Sequence, residues 1–134
     1  MAAAVAEAHR VLARGGMILD IHPTAEWPKF QIWAEQRRPL GRLERAAEAE
    51  RSFAAASAAL AAAPDLRPAV AQIFDYRYEF DSLDELTDFL DDNPEFARAS
   101  DDLLERATTA LAHTPGPAKL VMLQAVAITV LRKP

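Results

Sequence analysis

Apolar and polar positions change period several times along the chain, and each change marks an element. From Ala2 to Arg14, Val5, Ala8 and Leu12 recur at helical spacing and Gly15-Gly16 ends the run, which predicts a helix closed by a glycine turn. Met17 to His22 is short, apolar and branched and is closed by Pro23, the pattern of a strand buried on both faces. Pro23, Pro28 and Pro39 then interrupt the chain, and Phe30 to Glu35 suits a short edge strand or hairpin arm. Alanine dominates from Glu44 to Ala63, predicting a long helix with a small-residue face that ends at Pro64.

The second half is patterned more sharply. Phe74, Tyr76, Tyr78 and Phe80 alternate with Asp75, Arg77 and Glu79, which predicts a half-buried strand with its aromatic face inward. Ser82 and Glu85 have capping-box spacing, and Leu83, Leu86, Phe89 and Leu90 follow on one helical stripe. A further helix is expected from Ser100 to Ala112, with Leu103, Leu104, Ala107 and Leu111 as its stripe and Asp101 and Asp102 at the positive end of its dipole. Thr114-Pro115-Gly116-Pro117 ends it. Lys119 to Arg132 is rich in Leu, Val, Ile, Met and Thr without a turn residue, and is read as a long terminal strand.

Composition narrows the functional classes. With 134 residues, 51% hydrophobic and 26% charged, the chain fits one globular domain over residues 1–134. A net charge of −5 argues against an electrostatic grip on nucleic acid, and Arg37, Arg38 and Arg42 read as a solvated loop face. No run reaches the ~20 apolar residues that span a bilayer, so no membrane role is expected. The chain has no cysteine, which removes thiolate chemistry and makes a reducing cytoplasm the natural setting. The acidic residues Asp81, Asp84, Glu85, Asp91 and Asp92 lack the spacing of a calcium loop, and His9, His22 and His113 have no metal-ligating spacing, so no metal is expected. Nor does any serine lie in a G-x-S-x-G elbow, so the sequence offers no sign of a hydrolytic nucleophile.

Glu7-Ala8-His9-Arg10-Val11-Leu12-Ala13-Arg14-Gly15-Gly16-Met17-Ile18-Leu19-Asp20 resembles the signature of class I S-adenosylmethionine-dependent methyltransferases, in which a helix meets a Gly-Gly turn before the fifth strand. Arg14 stands where that family usually has proline, and the ending Val126 to Pro134 is similar to its closing strand and short basic tail. The resemblance implies an α/β fold: a partial Rossmann-like sheet of one parallel strand plus C-terminal antiparallel strands, with packed helices. It implies S-adenosylmethionine as the family's cofactor. The glycines Gly15, Gly16, Gly41 and Gly116 do not form the glycine-rich first loop, so this chain is expected to bind no cofactor alone and to transfer no methyl group alone. The strand from Met17 would be paired on one side only, and its expected partner is the missing N-terminal half or a second copy. The alternative is a non-enzymatic interaction domain that binds a partner through the exposed sheet edge.

Ligands of open α/β sheets sit beyond the carboxyl ends of the strands, which singles out Asp20, His22 and Thr24 as substrate-side candidates. Asp20 and His22 are two apart on a strand and share a face; the imidazole is suited to general-base work and the carboxylate to orienting it. Arg10 and Glu7 are expected to form a surface ion pair, and Trp27 and Trp33 to pin the proline-broken loop onto the body.

Overall fold

The computed structural model describes residues 2–63 and 65–134; Pro64, the expected stop of the alanine-rich helix, lies outside the described residues. The chain is α/β, with four helices among the described residues and a five-stranded antiparallel sheet. The elements are α1 (Ala2–Val11), β1 (Met17–Pro23), β2 (Lys29–Trp33), β3 (Arg37–Arg42), α2 (Ala47–Ala61), β4 (Arg67–Phe80), α3 (Leu83–Asp92), α4 (Asp101–Ala112) and β5 (Lys119–Arg132). β5 organises the pairing. β1 lies along its end, from Met17 opposite Arg132 to Pro23 opposite Val126, and β2 along its start, from Trp33 opposite Lys119 to Lys29 opposite Leu123. β3 pairs with β2, and β4 with β5. The expected parallel strand is not seen among the described residues. A strand is parallel only relative to a neighbour, and the neighbour of β1 is β5, which runs the opposite way.

The residues gather into two compact units, Met1–Ala25 with Glu50–Phe74 and Ala125–Pro134, and Glu26–Ala49 with Asp75–Gln124. The second unit holds the apolar core. Phe30 opposite Met122 and Ile32 opposite Leu120 put four buried side chains on one face, and Leu86 and Leu90 of α3 and Leu103 and Ala107 of α4 close over them. Both helices start where the sequence places them: Ser82 Oγ accepts the Glu85 N–H at 3.1 Å, Glu85 Oε2 accepts the Asp81 N–H at 2.7 Å, and Ser100 Oγ accepts the Leu103 N–H at 3.2 Å.

The hairpin arm is present, but β2 is no edge, since β5 and β3 flank it. Between Phe30 and Gln31 the register jumps from Gly41 to Pro39, a bulge that leaves Leu40 unmatched. Gly41 has φ +153°, and a Cβ there would meet Leu103 Cδ1 at 3.0 Å. Arg37, Arg38 and Arg42 are exposed as expected, yet they belong to β3 and not to a loop. Trp33 likewise sits on β2, with the Arg37 guanidinium 4.0 Å and that of Arg77 5.1 Å from its ring centre.

The aromatic alternation of β4 turns inward only at its end. Phe80 is buried and Tyr78 is half-buried, with Phe89 and Phe96 as ring neighbours at 5.4 and 5.9 Å from Tyr78, while Phe74 and Tyr76 remain exposed. The rings that receive the face extend no farther than Tyr78 and Phe80.

In the first unit α1 stops at Val11, short of Arg14. Lys133 Nζ donates to the carbonyls of His9 and Leu12 at 2.9 Å each, satisfying the last turn with a cation at the negative end of the dipole. The two glycines serve different needs. Gly15 adopts φ +76°, and a Cβ on Gly16 would meet the Ala13 carbonyl and the Leu12 side chain at 2.8 Å. Glu7 and Arg10 form the expected surface pair at 2.7 Å, which holds the Glu7 carboxyl below its ordinary range.

The expectation that β1 is buried on both faces is overturned. Ile18, Asp20 and His22 are half-buried, whereas Met17, Leu19 and Ile21 are 58%, 61% and 57% exposed. Apolarity on both faces states that both can be covered; in this unit only one is.

Candidate functional site

Asp20 and His22 project from the same face of β1, opposite Thr129 and Ala127 of β5. The small Ala127 leaves room for the imidazole. The alanine-rich α2 brings Ser57 to this face, with Leu60 and Ala61 one turn further along the same side of the helix. His22 Nδ1 lies 2.5 Å from Asp20 Oδ2, and His22 Nε2 lies 3.0 Å from Ser57 Oγ. An ionised carboxylate only accepts, so Nδ1 carries the hydrogen and donates to Asp20; with the ring neutral, Nε2 is the acceptor for the Ser57 hydroxyl. The carboxylate fixes the tautomer and the ring, and the ring offers a base to the hydroxyl proton. The side chains of Asp20 and His22 are 22% and 13% exposed, so this pair is shielded from bulk water while Ser57 stays accessible.

Beside this array lies a cavity of about 450 Å³. Leu60, Ala61, Leu66, Pro68 and Leu131 give it apolar walls, and the polar residues His22, Ser57 and Thr129 also line it. An apolar pocket with a few convergent polar groups is the form that small-molecule sites take.

Of the three substrate-side residues expected from the sequence, the structure unites Asp20 and His22 and leaves Thr24 apart. Thr24 continues the backbone ladder, its N–H donating to the Ala125 carbonyl at 2.8 Å. Ser57 was missed. It carries no elbow motif and stands in the middle of an alanine-rich helix, so nothing near it in sequence announces its partner. The available signal was indirect: a lone hydroxyl on the small-residue face of a helix that must pack on a strand bearing a carboxylate and an imidazole.

The second unit offers a cleft of about 290 Å³ bounded by Arg37, Arg38, His113 and Thr114 among others. His113 Nδ1 is engaged with the Thr109 carbonyl at 2.7 Å. Among the described residues no group of three His, Cys, Asp or Glu forms a metal-ligating cluster, and no helix is long and apolar enough to cross a membrane.

The other feature of the first unit is the far face of β1. Met17, Leu19 and Ile21 stand in register with Arg132, Val130 and Ile128 of β5, and Val130 and Ile128 are only half-buried. β1 ends the strand order, and its sequence MILDIHP has no Lys or Arg and places its proline last, so neither a basic side chain nor a mid-strand proline blunts this edge.

No family model, curated protein or solved structure matches the chain.

Proposed function

We propose that this chain is a methyltransferase-like half, built to associate through β1 with a Rossmann-like half that carries the glycine-rich cofactor loop, and unable to bind S-adenosylmethionine by itself. The observation that carries this reading is the state of β1: a strand following a helix and a Gly-Gly turn, antiparallel to the terminal strand, with three large apolar side chains more than half exposed. In the methyltransferase sheet the equivalent strand is flanked on both sides. Covering Met17, Leu19 and Ile21 is worth on the order of 1–2 kcal/mol apiece, enough to offset part of the entropic cost of association.

Without its partner, the same edge and face drive self-association. Sedimentation velocity of the purified chain over a wide concentration range is expected to show reversible oligomers, and Leu19→Lys with Ile21→Lys to abolish them. A wild-type chain that stays monomeric at every concentration would count against the proposal. Calorimetric titration with S-adenosylhomocysteine is expected to give no saturable heat; saturable binding would make the chain a complete binder of its cofactor and remove the need for a second half.

A further inference from the structure

We infer that Ser57 is a nucleophile and that Asp20, His22 and Ser57 form an acyl-transfer site whose substrates are esters of short aliphatic acids. The spacing is that of a carboxylate–imidazole–hydroxyl relay, at 2.5 and 3.0 Å, with all three groups in one unit. A hydroxyl in mid-helix points to solvent or returns its hydrogen to a carbonyl of the preceding turn. Ser57 instead meets His22, and the Asp20 carboxylate stands behind the ring.

The step balances with water as the only co-reactant. Ser57 Oγ bonds to the ester carbonyl carbon as its proton passes to His22 Nε2. The bond from that carbon to the alcohol oxygen breaks, and His22 returns the proton to the leaving alkoxide. A water then gives a proton to His22 Nε2 and attacks the acyl carbon; the bond to Oγ breaks and Ser57 recovers its hydrogen, releasing the acid. Asp20 is a positioning residue that keeps Nε2 free to accept. The acyl chain lies between Leu60, Leu66 and Leu131, in a cavity whose about 450 Å³ admits a few carbons. The Ser57 N–H lies within α2, so the developing oxyanion must take its hydrogen bond from a side chain, and Thr129 is the hydroxyl that shares the cavity. One such donor makes a slow catalyst, which directs the test to the nucleophile itself.

The experiment treats the folded chain with a small alkyl fluorophosphonate, in which Ser57 Oγ displaces fluoride from phosphorus, and follows the adduct by intact mass and peptide mapping. One adduct per chain at Ser57 is expected, and none in Ser57→Ala, which alanine's helix preference keeps folded. His22→Gln should slow labelling by about 10²-fold or more, and Ser52→Ala, on the same helix, should leave it unchanged. With 4-nitrophenyl esters, butyrate should be cleaved faster than acetate by about threefold to fourfold per added methylene, and Asp20→Asn should lower kcat with KM unchanged. A folded wild-type chain without an adduct at Ser57, or with one that forms equally fast in His22→Gln, overturns the assignment. Equal rates on acetate and butyrate would remove the cavity from it.

Discussion

β1 and β2 are both short apolar strands that lie antiparallel on β5, and they end in opposite conditions. In β2 the alternate residues Phe30 and Ile32 are fully buried; in β1 the alternate residues Met17, Leu19 and Ile21 are more than half exposed. Their own sequences do not account for the difference. The second unit supplies two amphipathic helices whose stripes reach over the β2 face, whereas the first unit brings a helix only to the Asp20 and His22 side of β1. A sheet face needs a second layer, and among the described residues the far face of β1 is left exposed. The exposed face and the Asp20–His22 face therefore sit back to back on one strand; under the two proposals the odd residues serve association and the even residues chemistry.

The largest effect expected from breaking this comparison is in the core. Phe30→Ala removes a fully buried ring and should cost about 3–5 kcal/mol of unfolding free energy, read from urea denaturation in dilute solution. Leu19→Ala under the same conditions should change stability by about 0.5 kcal/mol or less, because the side chain is already in water. Comparable losses from the two substitutions would mean that the β1 face is covered in solution. Repeating the pair at a concentration where the chain associates should raise the cost of Leu19→Ala and leave that of Phe30→Ala alone.

Legibility in the sequence follows the same division. The stripe of Leu103 and Ala107, the caps Ser82 and Ser100 and the unbroken run from Lys119 to Arg132 were readable because each is a local pattern with its partner nearby or a period that only one element satisfies. Asp20 and His22 were readable as a pair for the same reason. What was not legible depended on other parts of the chain: whether anything covers Leu19, how far the rings of Phe89 and Phe96 extend along β4, and that Ser57 would be delivered to His22 from a helix far along the chain. Periodicity states which residues share a face; it does not state what faces them.

A smaller effect tests the helices that make the covered face possible. Ser100→Ala removes the acceptor for the Leu103 N–H and should cost about 1 kcal/mol, and Ser82→Ala about the same. Native-state hydrogen exchange should show the loss as faster exchange at Leu103 and Glu85, while amides of β1 keep their rates. If β1 amides accelerate equally, the protection of β1 depends on the second unit's helices and the two strands do not differ in what stabilises them.

The smallest effect is found where the aromatic face of β4 passes from exposed to covered. Partial burial among Phe89 and Phe96, reinforced by the neighbouring Tyr76 hydroxyl, holds the Tyr78 phenol above the ordinary tyrosine range. A pKa raised in the folded state adds stability that is complete below the unfolded value, near 10, and is lost as the pH rises through the folded value. The chain should therefore lose stability in that alkaline window, and Tyr78→Phe, which keeps the ring contacts and removes the ionising group, should flatten the loss. Phenolate absorbance should show one late-titrating tyrosine in the wild type and none in Tyr78→Phe. An unchanged alkaline profile in the variant would place Tyr78 on the exposed side of the boundary with Phe74 and Tyr76, and would shorten the part of β4 that the second unit covers to Phe80 alone.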